Sequence, residues 1–157
     1  MKRLEAIGLN PEKSKKLSEA LGKLLANYSI FYQNVRGFHW NIEGRKFFEL
    51  HMKFEELYND IILKIDDVAE RMRTLDAIPN HQYSKYLELA TIKESDILDV
   101  DGQVECVLSG LQTLIKQQRI LMELAQEAND EGTAAMLSDN IREQEKLTWM
   151  FSSFLND

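Results

Sequence analysis

HMKFEELYNDIILKIDDVAE, residues 51–70, contains neither proline nor glycine and carries apolar residues at helical spacing. The stretch therefore predicts one uninterrupted helix. At about 100° per residue, Glu55, Asp66 and Glu70 lie roughly 40°, 60° and 100° around the helix from His51. One broad face of the helix thus carries an imidazole and three carboxylates.

The same helix separates these residues along its axis. A rise of about 1.5 Å per residue sets Asp66 roughly 22 Å from His51, whereas metal ligands lie about 2 Å from their ion. One chain therefore cannot bring all four side chains to one ion. A second copy packed antiparallel would place Asp66 and Glu70 opposite His51 and Glu55, and a two-fold interface would contain two such sites. The spacing predicts a metal site and a dimer, while solvated acids and a hydrogen-bonded histidine are the ordinary alternative.

His39 lies on the preceding helix, where it continues the apolar stripe of Tyr28, Tyr32 and Val35. It is expected to point inward, either as a ligand or as a hydrogen-bonded core histidine. Imidazole and carboxylate ligands without a thiolate suit iron, manganese or zinc. The sequence has no Glu-x-x-His pair, the signature of di-iron carboxylate bundles. A site of different construction, made by two copies, is therefore expected.

The composition is typical of one mostly helical, soluble domain spanning residues 1–157. Hydrophobic residues make up 44% of the 157 and charged residues 29%, with only two prolines. No apolar run approaches the roughly 18 residues that span a membrane, and the N-terminus lacks the apolar core of a signal peptide. A single cysteine excludes an internal disulfide framework. These features favour the cytoplasm.

The net charge of −7 disfavours nucleic acid as a partner. The first sixteen residues are nevertheless basic, which leaves a DNA-binding arm as the alternative to a solvated helix start. The charged residues there are Lys2, Arg3, Lys13, Lys15 and Lys16, against Glu5 and Glu12.

Four long helices can be read along the chain. Asn10 and Pro11 form a start signal, an N-cap followed by proline at the first helical position. The second helix is expected over about 44–75, and 82–90 is expected to form a short extra helix. The turn 128–132 precedes the fourth helix, with its glycine supplying conformational freedom. The long crossover between helices two and three predicts an all-α, ferritin-like four-helix bundle with a short extra helix in that crossover.

Two stretches resemble the Dps family of mini-ferritins, the DNA-protecting proteins of starved cells. They are NVRGFHWNIEGRKFFELHMKFEELYNDIILKIDDVAERM, residues 34–72, and DEGTAAMLSDNIREQEKLTWMF, residues 130–151. The resemblance implies four-helix subunits assembled as hollow homo-dodecamers of two-fold dimers, with ferroxidase sites at the two-fold interfaces. It assigns one half of each site to one subunit (His39, His51 and Glu55) and the other half to its mate (Asp66 and Glu70).

The resemblance also implies the chemistry. Iron is the metal: Fe(II) is oxidised, preferentially by hydrogen peroxide, and the ferric product is stored as mineral within the shell, which protects the cell from oxidative damage. Glu55 stands where many relatives have aspartate. Asp130, Glu131 and Asp139 are candidates for a cation pore, although acids also belong in a first helical turn as caps.

The alternative function is that of a DNA-compacting structural protein of the nucleoid. DNA-binding relatives extend a lysine-rich arm before the first helix or after the fourth. Here only about ten residues precede the first helix, and the C-terminal segment SSFLND is acidic. Direct DNA binding is therefore not expected.

Overall fold

The fold is built from helices alone within residues 3–156, the part of the chain that the computed structural model describes. The helices are α1 (Arg3–Ala6), α2 (Pro11–Asn41), α3 (Phe47–Thr74), α4 (Tyr83–Leu89), α5 (Val100–Glu127) and α6 (Glu131–Phe154). The long helices α2, α3, α5 and α6 are the four predicted from the sequence, and α4 is the predicted extra helix. The single turn α1 was not predicted.

Contacts between helix ends define the topology. Lys13 at the start of α2 donates a hydrogen bond to the carbonyl of Glu127 at the end of α5. Arg71 near the end of α3 contacts Asp130 at the start of α6. Both pairs are therefore antiparallel, as are the pairs joined by short links, α2 with α3 and α5 with α6. The crossover 75–99 runs between α3 and α5, so the predicted ferritin-like four-helix bundle is confirmed.

Side-chain caps begin three of the long helices. Asn10 accepts a hydrogen bond from the backbone N–H of Lys13 at 3.1 Å, and Pro11 follows at the first helical position, as predicted. Asp99 caps α5 through the N–H of Gly102 at 2.7 Å. These caps satisfy N–H groups that have no partner within their own helix.

The turn before α6 differs from its prediction. The residue with positive φ is Asn129, at 52°, whereas Gly132 already belongs to α6. Asparagine tolerates the left-handed region better than most residues. The expectation that glycine gives this turn its freedom is therefore wrong. Gly132 instead allows a close approach, because a Cβ atom there would lie 3.0 Å from Nη1 of Arg71.

The bundle centre contains a closed ring of hydrogen bonds. The Tyr28 hydroxyl donates to Oε1 of Gln118 at 3.1 Å, Gln118 Nε2 donates to Oε1 of Gln144 at 2.7 Å, and Gln144 Nε2 donates back to the Tyr28 hydroxyl at 2.6 Å. All three side chains are buried. Burial raises the pKa of the Tyr28 phenol, more than the hydrogen bond from Gln144 lowers it. Sequence patterning had placed Tyr28 only within an apolar stripe.

No helix in residues 3–156 combines the length and the apolar character needed to cross a membrane.

Candidate metal centre

His39 and His51 contact each other where α2 ends and α3 begins. His39 Nδ1 lies 2.7 Å from the carbonyl oxygen of His51, and His51 Nδ1 lies 2.9 Å from that of His39. The two rings stack with centroids 3.8 Å apart. Since a carbonyl can only accept, both Nδ1 atoms carry their proton and donate it. In the neutral rings the lone pair is therefore on Nε2, the form in which imidazole binds a metal.

Two aromatic side chains hold this pair in place. Phe47 stacks on the other face of the His51 ring, with centroids 4.8 Å apart and planes at 21°. Tyr58 meets His39 edge-on, with centroids 5.2 Å apart and planes at 78°. Neither role was predicted from the sequence. The available signal was their spacing, because Phe47 and Tyr58 lie four residues before and seven residues after His51, positions that share its side of a helix.

The three carboxylates of the predicted site, Glu55, Asp66 and Glu70, are exposed on α3. Within residues 3–156 none of the three makes a side-chain hydrogen bond or an ion pair. Other acids of α3 are paired: Asp60 contacts Lys64 at 2.8 Å and Glu56 contacts Lys53 at 2.8 Å. The predicted ligands therefore have oxygen atoms free to bind a cation, unlike Asp60 and Glu56 on the same helix.

Glu70 makes no ion pair with Lys64 or Arg71, two cations of its own helix, because both are engaged elsewhere. Lys64 is buried between Asp60 and Glu143. Burial alone would lower the pKa of Lys64, but the hydrogen bonds from its ammonium to the two carboxylates more than offset that effect and raise it. Arg71 turns away from Glu70 toward the start of α6.

The described part of one chain brings together only the two histidines. In residues 3–156 no three His, Cys, Asp or Glu side chains come close enough to hold a metal ion. This agrees with the helix geometry, which separates Asp66 from His51 by roughly 22 Å. In the described residues, one chain therefore offers two candidate half-sites, one with the two histidines and one with Asp66 and Glu70.

Apolar side chains share the α3 face of the predicted ligands. Four lie within the arc of about 120° that also contains the three acids and His51, and all four are exposed in the single chain. They are Phe48 (78% exposed), Met52 (60%), Ile62 (45%) and Leu63 (66%). Four large apolar side chains exposed on one helix face indicate an interface between chains.

The three pore candidates separate into two groups. Asp130 is buried: it caps α6 by accepting from the N–H of Thr133 at 2.9 Å, and it pairs with Arg71. The capping alternative is therefore the one observed for Asp130. Glu131 and Asp139 are exposed, and Asp139 contacts Arg142 at 3.1 Å. The pore role of these two residues remains a prediction.

The basic N-terminal segment folds back onto the bundle. Arg3 pairs with Asp76 at 3.4 Å and donates to the carbonyl of Arg73, at the end of α3. Lys13 reaches the carbonyl of Glu127 at 2.6 Å. Lys2, which the sequence analysis included in a possible arm, lies outside the described residues.

Comparison with known proteins gives consistent results. A family model described as a ferritin-like domain matches residues 18–157. The chain is 52% identical to an uncharacterized protein of Haemophilus influenzae, over 94% of this chain and 93% of that protein. It is 38% identical to the DNA protection during starvation protein of Porphyromonas gingivalis, with 96% of each chain covered. The crystal structure of the Dps protein of Vibrio cholerae O1, described as a member of a broad superfamily of ferritin-like diiron-carboxylate proteins, matches with a TM-score of 0.93 and 54% identity, over 95% of this chain and 94% of that one.

Proposed function

The chain belongs to the Dps family of ferritin-like proteins, and from that premise we propose that it is a ferroxidase that also stores iron. It oxidises Fe(II), preferentially with hydrogen peroxide, and keeps the ferric product inside a hollow shell. The observation that carries the proposal is the histidine pair, whose Nδ1 atoms are both engaged and whose Nε2 atoms are left for a metal. Consuming Fe(II) and peroxide together protects the cell from oxidative damage.

Each catalytic site is shared by two chains. His39, His51 and Glu55 of one chain face Asp66 and Glu70 of its mate, because one α3 helix cannot bring its two ends to one ion. The imidazoles and the unpaired carboxylates form a ligand set that suits iron. The apolar residues of α3 that are exposed in a single chain become buried between the two chains, and this burial holds the half-sites together.

Two Fe(II) ions are oxidised for each peroxide. Each ion gives up one electron, the O–O bond breaks, and two protons complete two molecules of water. Delivering both electrons at one site avoids the one-electron cleavage that releases hydroxyl radical. The substrate is thus a pair of Fe(II) ions with hydrogen peroxide, and iron is both substrate and stored product.

The storage shell consists of twelve copies built from two-fold dimers, and it works in the cytoplasm. Each copy carries a net charge of −7, so the assembled shell attracts cations. Glu131 and Asp139, which are exposed near the start of α6, are the residues we assign to a cation pore.

The test compares two ligand variants with a matched control. His51→Ala and Asp66→Ala should lose anaerobic Fe(II) binding and peroxide-dependent oxidation while the protein still assembles. Asp67→Ala is the control, because Asp67 is an exposed acid next to Asp66 on the same helix and makes no ion pair among the described residues. Fe(II) titration counts the ions per subunit, and light scattering reports assembly. Unchanged binding in both ligand variants would refute the site.

DNA compaction is the competing function, suggested by the name of the Porphyromonas gingivalis relative. Two observations argue against direct DNA binding here: the net charge is −7, and Arg3 and Lys13 are bound to the ends of α3 and α5. We expect no gel retardation of duplex DNA at low salt. Retardation that fades steeply as salt is raised would overturn this expectation.

A further inference from the structure

The acidic half-site lies next to a contact that holds the end of α3 against the start of α6. We propose that Arg71 and Asp130 position Asp66 and Glu70 for metal binding, and that Asp130 serves this purpose instead of lining a cation pore. The inference rests on the proposed function, because it concerns the same metal centre.

Four hydrogen bonds connect Arg71, Asp130 and Thr133. Arg71 donates from Nε to Oγ1 of Thr133 at 2.8 Å and from Nη2 to Oδ1 of Asp130. The same Oδ1 accepts from the N–H of Thr133 at 2.9 Å, and Oδ2 accepts from its hydroxyl at 2.6 Å. The Asp130 side chain is only 1% exposed. The planar guanidinium is therefore fixed in one orientation by two partners.

The close approach extends to the helix backbone. At Gly132 a Cβ atom would lie 3.0–3.1 Å from three atoms of the Arg71 guanidinium. Glycine is a poorer helix residue than alanine. Its presence inside α6 is explained by the space that Arg71 needs there.

The position of Arg71 explains why this contact matters for the site. Glu70 precedes it directly, and α3 ends at Thr74, so the ligand lies in the last turns of a helix, where ends tend to open. Successive side chains point about 100° apart. Arg71 can therefore be fastened to α6 while the Glu70 carboxylate, about 100° around the helix from it, stays free. A carboxylate held in position binds a metal with less loss of freedom than a mobile one.

The experiment uses Co(II) as the probe and the assembled protein throughout. Arg71→Gln removes the guanidinium. Asp130→Asn removes the charge that Arg71 needs, yet keeps an N-cap side chain, since asparagine caps as well as aspartate. In both variants the Co(II) affinity should fall about 10- to 100-fold, the usual effect of removing a group that orients a ligand. The visible Co(II) spectrum should change as well, because a carboxylate ligand is displaced.

The matched control is Arg119→Gln. Arg119 also pairs with a carboxylate across two helices, Glu145, but this pair is exposed and remote from the acidic half-site. Its loss should leave Co(II) affinity and spectrum unchanged. The double variant Arg71→Gln/Asp130→Asn should bind no more weakly than Arg71→Gln alone, because each change removes the same link.

The outcomes are distinguishable. If thermal stability falls in both variants while Co(II) affinity and spectrum match the wild type, the contact is structural only and the inference is overturned. His51→Ala separates the two proposals. Loss of Co(II) binding in His51→Ala, together with normal binding in Arg71→Gln and Asp130→Asn, would overturn the positioning role alone. Normal binding in His51→Ala would overturn the metal centre and this inference together.

Discussion

A site divided between two chains predicts that two inactive variants restore activity to each other. His51→Ala destroys the histidine half of its own chain, and Asp66→Ala destroys the acidic half. In a mixed dimer, one site combines both defects, whereas the other combines an intact histidine half with an intact acidic half. Each mixed dimer therefore has one working site of two, although neither variant alone has any.

The expected magnitude follows from symmetry. When the two variants are mixed in equal amounts and refolded together, about half of the two-fold dimers contain one chain of each kind. With one intact site in each, about a quarter of the wild-type number of sites is restored. The measurement is the initial rate of Fe(III) formation after peroxide is added anaerobically to Fe(II)-loaded protein, with different affinity tags to isolate the mixed assemblies.

The control is the same protocol applied to each variant refolded alone, which should give no activity above the uncatalysed rate. A mixture of His51→Ala with His39→Ala is a second control. Both defects lie in the histidine half, so no site is intact and no activity should return. Activity in that mixture would refute the divided site. A lack of activity in the mixture of His51→Ala with Asp66→Ala would refute it as well.

Three further predictions concern the core, the ligands and the interface. Tyr28→Phe should destabilise the protein by about 1–3 kcal/mol, because Gln118 and Gln144 lose a buried partner. The raised pKa of the Tyr28 phenol keeps it neutral in the folded protein, while the unfolded phenol ionises near pH 10. The free energy of unfolding of the wild type should therefore fall above about pH 10 more steeply than that of Tyr28→Phe. Urea unfolding at one protein concentration measures both. Glu55→Gln should slow peroxide-dependent iron oxidation more than Glu55→Asp, because aspartate keeps the carboxylate. Equal oxidation rates of the two variants in stopped-flow absorbance would remove Glu55 from the ligand set. Ile62→Glu should abolish both assembly and iron oxidation, although all five predicted ligands are intact. A variant that elutes as a monomer in size-exclusion chromatography and still oxidises iron would contradict the shared site.

Helix periodicity was sufficient to predict the elements that carry the site. The stripe on α3, the start at Asn10 and the extra helix in the crossover all follow from local patterns, because spacing along one helix determines which side chains share a face. The same reasoning placed His39 on the inward side of α2, and it is buried.

The contacts between helices could not be predicted from helix periodicity. In the sequence, Gln118 and Gln144 look like ordinary polar residues. Only the folded structure shows that they are hydrogen-bonded to each other and to Tyr28 on a third helix. The pairing of Asp130 with Arg71 of α3 could not be predicted, because nothing near Asp130 in the sequence reveals it. Such pairings depend on how helices are placed in space, which hydrophobic spacing leaves open.

The hydrogen-bonded ring also sets the lengthwise register of the helices. Sliding α2 by one turn, about 5.4 Å, would separate Tyr28 from both glutamines and leave buried polar atoms unpaired. Tyr28 and His39 lie on this same helix, about 16 Å apart along its axis. The register that the ring imposes on α2 therefore determines how far His39 extends toward His51. A neutral cluster deep in the bundle thus fixes the position of a predicted ligand that it does not contact.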